Sequence, residues 1–395
     1  MVALPIYLDN HATTRTDPRV VTAMLPYFTD IYGNPASSNH RFGQEAAAAV
    51  ATARAQVAEL IGAPPTSIHF TSGATESNNL ALKGVAWALR ARRDHLAAVV
   101  TAHHAVLDPL ARLQRDGFQV TLLPVDEHGR VDPQAVAAAL TPRTALVSVM
   151  LANNEIGTLQ PLAVIAEQCA AAGVLLHTDA AQAVGKTPVA VDDLGVDLLS
   201  FSGHKLYGPK GIGVLYIRKR SPRIRLVPLQ EGGGQEHNLR SGTLPVPLIV
   251  GLGAACALAK VELAADAAHA AGLRDRLEQG LRQRVPGLVV NGHPTDRLPG
   301  NLNVSIPGVQ GEALLLALKD VAVRFRSACT TASRESSHVL RAIGRDVELA
   351  EASLRFGVGR FNTGAEIDWV IEQVAREAAR LRSMSAAFAT PPSAD

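Results

Sequence analysis

Short apolar runs and longer helical runs alternate along most of this chain, and no other feature limits its fold so strongly. Strands are predicted at residues 68–71, 97–101, 119–123, 145–151, 174–178, 196–200 and 212–217. Helical spacing predicts helices at 43–60, 78–93, 105–115, 133–140 and 162–172. Parallel strands need crossover connections, which are usually helices. The alternation therefore predicts an α/β fold, a mostly parallel sheet covered on both faces. Ligands of such sheets sit at the carboxyl ends of the strands, so the loops that follow strands are the ones to read for chemistry.

The most informative of these loops is Ser200-Phe-Ser-Gly-His-Lys-Leu-Tyr-Gly-Pro-Lys-Gly-Ile-Gly213, a polar, Gly/Pro-rich turn between two buried strands. A lysine at the end of a core strand is costly to desolvate unless its amine is neutralised or covalently used, and an imine with an aldehyde cofactor does both. Lys205 is the candidate. Solvated decoration is the ordinary reading of Lys205 and Lys210, and it stands beside the first. Ser72-Gly-Ala-Thr-Glu-Ser77 lies between a strand and a helix, where free N–H groups suit a phosphate and where Ser72 or Thr75 would also serve as a plain N-cap. Asp179, after an apolar run, could hold a heteroaromatic ring nitrogen protonated or simply cap a helix. Thr101-Ala-His-His-Ala105 offers a flat imidazole at another strand end, for ring contact, proton transfer or packing.

A net charge of +2 gives no electrostatic case for nucleic acid or a membrane surface as an obligatory partner. Seven lysines leave few amines for an imine. The three cysteines, Cys169, Cys256 and Cys329, are widely spaced and odd in number, which fits neither a disulfide framework nor a CxxC metal site. No metal site is expected, and a reducing, cytoplasmic setting is. The longest apolar stretch, 243–259, is broken by Ala, Gly and Pro and reads as part of a core helix spanning roughly 244–284, within which the domain changes. Beyond it, strands are predicted at 301–306, 321–325 and 353–358. The Ala/Pro/Ser-rich residues 386–395 are expected to be disordered.

Six ordered motifs carry a family resemblance: Thr71-Ser-Gly-Ala-Thr-Glu-Ser-Asn-Asn79, Asn153-Asn-Glu-Ile-Gly157, His177-Thr-Asp-Ala-Ala-Gln182, the 200–211 turn, Arg240-Ser-Gly-Thr243 and Ser327-Ala-Cys-Thr330. Together they resemble the pyridoxal-phosphate-dependent cysteine desulfurases of the Nif/Isc type, in the class-V aminotransferase family. That resemblance implies a fold-type I architecture. Its large α/β domain (18–262) has a mostly parallel seven-stranded sheet, and a smaller α+β domain (1–17 and 263–385) carries the sulfur-acceptor cysteine. It implies Lys205 as the imine-forming lysine and the base at the substrate Cα. Asp179 becomes the partner of the ring nitrogen, Gln182 lies near the ring hydroxyl, and His103 serves ring contact and proton transfer. Ala74, Thr75, Ser202 and His204 form the phosphate cup, completed by Thr243 of a neighbouring copy in a homodimer. Asn34, Asn154 and Arg355 grip the carboxylate of L-cysteine. Cys329 takes the sulfur as a persulfide, for delivery to a sulfur-acceptor protein of iron–sulfur, tRNA or DNA modification machinery, with alanine as the other product. Cys169 and Cys256, in Ala-rich helical runs, read as core residues.

Two stretches depart from the family pattern. Val323-Arg-Phe-Arg326 replaces a small, flexible Ser/Gly run before the active cysteine, and reads as an extension of the strand from Val321. Cys329 is thus expected to be held stiffly and to need a conformational change or a partner. Ala102 and His104 stand where Glu and Lys are common. Such departures point to a specialised branch, with desulfurases serving DNA phosphorothioation as the leading choice. Two competing functions share the cofactor: a selenocysteine lyase-like enzyme that does not use Cys329, and a weakly active scaffold that binds sulfur-transfer partners.

Overall fold

The computed structural model describes residues 2–325 and 336–384. Near the N-terminus a short strand, β1 (Ile6–Tyr7), leads into a polar loop. The next seven strands are β2 (Ile68–Thr71), β3 (His95–Val99), β4 (Gln119–Leu123), β5 (Thr144–Ser148), β6 (Leu175–Asp179), β7 (Leu198–Ser202) and β8 (Gly213–Ile217). They form one sheet in the order β2-β8-β7-β6-β5-β3-β4. Neighbours pair in parallel from β4 through β7, and β8 alone runs against both of its neighbours. All strands but β8 therefore end at the same edge. Helices Ala74–Leu89, His104–Arg115 and Leu162–Ala171 supply crossovers. The expected α/β architecture and its seven-stranded sheet are present.

Polarity inside the sheet is handled by pairing. His177, fully buried in β6, meets the Ser148 hydroxyl of β5 through Nδ1 at 2.9 Å and the Ser200 hydroxyl of β7 through Nε2 at 3.0 Å. Three strands are thereby stitched through one neutral ring, and burial pushes its pKa down to about 4.

A second sheet is wholly antiparallel. Its strands β9 (Val289–Asn291), β10 (Asn301–Ser305), β12 (Arg324–Phe325) and β13 (Ser353–Gly357) lie in the order β12-β13-β10-β9. The remaining strand, β11 (Val321–Ala322), pairs in parallel with β1. The stretch 321–325 is therefore not the single strand that the sequence predicts. Val323 divides it, and its two halves pair in different sheets.

Two apolar cores accompany the two sheets. One gathers residues from Val20 to Ala259 together with Leu298. The other joins Ile6 and Leu8 to residues between Leu273 and Ala378. Helix Val246–Arg284 serves both: Ile249, Leu252, Cys256 and Ala259 belong to the first, Leu273, Leu277 and Leu281 to the second. That helix is long and apolar enough to cross a membrane, yet here it spans two cores. Cys169 and Cys256 are core residues, as expected. Burial raises both thiol pKa values, that of Cys169 to about 12. Cys329 and the tail 386–395 lie outside the described residues.

Because the folded pKa of His177 lies below the unfolded value of about 6.5, the unfolded chain binds the extra proton between those two values. Stability attributable to this ring is complete above pH 6.5 and declines as pH falls toward 4, by about 1.4 kcal/mol per unit. Urea midpoints measured at pH 7 and pH 5 should differ in that sense, and His177→Gln should flatten the dependence.

Candidate active site

The shared strand edge opens into a cleft of about 580 Å³. Its walls come from the loops after β1, β2, β3, β5, β6 and β7, with β12 and β13 closing one side. Which side chains it receives follows from where each strand stops.

After β2 the chain turns at Ser72 and Gly73 and enters helix Ala74–Leu89, whose N-cap, Gly73, has no side chain to satisfy the first N–H groups. Those donors and the positive end of the helix dipole are what an anion needs. Glu76 does not block them: its carboxylate accepts from the Ser72 amide at 2.8 Å and from Arg240 Nε at 2.9 Å. The turn lies so close to β8 that a Cβ on Gly213 would stand 2.5 Å from the Gly73 Cα. Only glycine at 213 leaves room for it. Ala74 and Thr75 thus sit in the first helical turn and line the cleft.

At the end of β6, Asp179 fills the capping role with one oxygen and meets Asn78 with the other. Oδ1 accepts from the Ala181 amide at 3.0 Å, which caps the turn, and Oδ2 accepts from Asn78 Nδ2 at 2.7 Å. His103 caps helix His104–Arg115, its Nδ1 accepting from the Ala105 amide at 3.0 Å. That bond leaves the neutral ring's proton on Nε2. Burial lowers the pKa of His103, against the opposing pull of Asp179.

Lys205 ends the short turn Gly203–Lys205 that follows β7. Its amine donates to the carbonyls of His11 at 2.5 Å and Ala12 at 2.7 Å. Beside it His204 meets the Thr13 hydroxyl at 3.1 Å, and burial, reinforced by Lys205 and Lys210, pushes its pKa down to about 4. Ser202 completes this wall. Gln182 is held by both ends of its amide: Nε2 donates to the His11 carbonyl at 2.9 Å, and Oε1 accepts from Lys186 at 3.0 Å and faces His11 Nδ1 at 3.0 Å.

Across the cleft Arg355, in β13, donates to the Asn154 carbonyl at 2.8 Å and to Asp9 at 2.7 Å, and its Nε is buried without a partner among the described residues. Lys205, Asp179, His103, Gln182, Ser202, His204, Ala74, Thr75, Asn154 and Arg355 are thus brought together. Asn34 and Thr243 are not. Both are exposed and outside this chain's cleft, Asn34 with its side chain accepting from the Ala36 amide.

Sequence reading missed His11, Thr13, Asn78, Glu155 and Arg324, all of which line the cleft. Asn78 stood in a recognised motif, and its only sequence signal was a polar residue one helical turn beyond Ala74. Cys329 lies outside the described residues, but the chain on either side is anchored at this site. Arg324 lines the cleft, while Ser337 donates to Glu155 at 2.5 Å and His338 meets the Ala102 carbonyl at 3.1 Å. Among the described residues no group of three or more His, Cys, Asp or Glu could hold a metal ion.

The aminotransferase class-V family model matches residues 6–370. Cysteine desulfurase of Mus musculus is 54% identical over 384 residues, 97% of this chain and 83% of that protein. Cysteine desulfurase IscS of Anaeromyxobacter dehalogenans is 54% identical over 382 residues, 97% of this chain and 94% of the relative. Among solved structures, one titled NifS-like protein superposes with a TM-score of 0.88 at 38% identity, covering 95% of this chain and all of that one. Fold, site geometry and likeness agree, and the chain belongs to the class-V aminotransferase family, among the cysteine desulfurases.

Proposed function

We infer that this chain is a cysteine desulfurase that converts L-cysteine to L-alanine and passes the sulfur to Cys329 as a persulfide, for delivery to a sulfur-acceptor protein. The observation that carries this is the convergence on one cleft of an amine, a strand-end carboxylate, a half-buried imidazole and an open helix N-terminus, in a chain 54% identical to named cysteine desulfurases.

Pyridoxal 5'-phosphate is the cofactor of this reading, and the residues present fit it. The uncapped first turn of helix Ala74–Leu89, in a cradle that a Cβ at Gly213 would fill, suits the phosphate, with Ser202 and His204 beside it. Asp179 suits the ring nitrogen, Gln182 the ring hydroxyl and Lys205 the aldehyde. When bound, this group supplies an electrophilic carbon and an electron-accepting ring. Thr243 would reach the phosphate from a second copy, and its exposure outside its own cleft supports a homodimer.

Arg355 and Asn154 hold the substrate carboxylate, for which a guanidinium fork is well shaped. Lys205 moves the Cα proton, and His103, with Nδ1 occupied by the Ala105 amide, works through Nε2. The C–S bond of L-cysteine breaks as an S–S bond to Cys329 forms, and a proton returns to carbon, so that L-cysteine and a thiol become L-alanine and a persulfide. Cys169 and Cys256 are poor acceptors, because burial keeps their thiols protonated. A cytoplasmic, reducing setting belongs to this reading, supported by those two unpaired thiols.

Three variants test it. Lys205→Ala should lower alanine formation from L-cysteine by at least ~10²-fold. Cys329→Ser should abolish sulfane sulfur on the protein and stop turnover while the cofactor's absorbance persists; undiminished alanine release by this variant would overturn the sulfur-transfer assignment. Gly213→Ala, which forces the Gly73 turn outward, should weaken cofactor retention about tenfold in dialysis, with far-ultraviolet circular dichroism unchanged.

A further inference from the structure

A smaller cavity, of about 230 Å³, shares no residue with the cleft. Its walls come from the loop after β4, the C-terminal part of helix Val246–Arg284, β9 with the turn that follows it, and Arg345, just past helix His338–Ala342. Arg297, in that turn, is only 7% exposed. Its Nη2 donates to the Asn301 carbonyl at 3.0 Å, and its Nε is buried without a partner among the described residues. No carboxylate among the described residues lies close enough to pair with it. An arginine keeps its charge, and a charge taken out of water without a counter-ion is costly. Burial, then Arg274, push the pKa of Arg297 down to about 10, against the opposing pull of Glu278 and Asp275.

Arg345 brings a second guanidinium to the same cavity. Its Nε donates to the neutral Asn291 Oδ1 at 2.7 Å, and it too has no carboxylate to pair with among the described residues. The cavity's other charges are largely spoken for. Glu278 accepts from Arg282 Nε at 2.9 Å, and the exposed Glu127 stands 3.7 Å from His128. Three guanidiniums against two carboxylates leave positive charge over, and it falls on Arg297 and Arg345. Size limits what could balance it: pockets for drug-sized molecules begin near ~300 Å³, so the occupant is small. We propose that this cavity is a binding site for a small tetrahedral oxyanion, phosphate or sulfate, gripped by the forks of Arg297 and Arg345, a geometry to which guanidinium is suited. A bound ion ties the turn after β9 to the chain that follows helix His338–Ala342. The site does not depend on how the cleft is read.

Cofactor-loaded protein dialysed into chloride buffer should be titrated calorimetrically with inorganic phosphate and with sulfate at constant ionic strength. One saturable site should appear, with a dissociation constant below ~1 mM. Arg297→Gln and Arg345→Gln should each weaken binding at least ~10-fold, since each removes charge-assisted hydrogen bonds, and Arg345→Gln should leave the cofactor's absorbance unchanged. Absence of a saturable heat in the wild type would overturn the proposal. So would an affinity unaltered in Arg345→Gln, which would put the ion elsewhere, for example beside Arg355. Because Arg345 is only half-buried, these two measurements decide even where Arg297→Gln fails to fold.

Discussion

The amine of Lys205 is satisfied by two carbonyls that belong to the N-terminal loop, those of His11 and Ala12, and the rest of the site depends on this contact. Even a half-buried amine is costly without partners. The loop that supplies them is tied down on every side. The Leu8 amide bonds the Ala322 carbonyl, and Asn10 donates to the Gly357 carbonyl from the second sheet. The Thr14 amide and hydroxyl both bond the His204 carbonyl in the lysine turn. Asp17, which caps helix Pro18–Met24, is gripped by Arg19 and Arg360. Residues 6–17 thus join the second core to the strand ends of the first sheet. Whatever shifts one core against the other must move the partners of Lys205.

Two residues show that a capping role and a place in the cleft wall are compatible. Asp179 caps the turn after β6 with one oxygen and holds Asn78 with the other. His103 is both an N-cap and a wall of the cleft. The reason is geometric: at the carboxyl end of a parallel strand, the side chain that satisfies the next turn's N–H groups already stands at the crevice. In this protein the cap fixes the orientation of the functional group, and for His103 it also fixes which ring nitrogen carries the proton.

The alternation of strands and helices, the long helix and the residues gathered around Lys205 were legible because each has a periodicity or a motif behind it. What was not legible follows a common cause. Helix Ala74–Leu89 starts four residues earlier than its apolar spacing suggests, and β6 and β7 run on to Asp179 and Ser202. These polar residues face a cleft, so they carry no hydrophobic signal. The division of 321–325 between two sheets was hidden because a period of two is the same whichever partner a strand finds. His11 and Glu155 enter the site through contacts with residues 171 and 182 positions away, which no local pattern encodes.

The substitutions in the histidine loop find their explanation at the same distance. Ala102 offers its carbonyl to His338 Nε2, and the ring of His104 meets that of His338 edge-on with centroids 5.1 Å apart. His104 also faces Asp108 at 3.1 Å. A long charged side chain at 102 would contend with a position that is 1% exposed, so a small residue there matches the packing. The loop that carries His103 is in this way fastened to the helix His338–Ala342, which follows the segment containing Cys329. Movement of that helix would be felt first at the His103 cap.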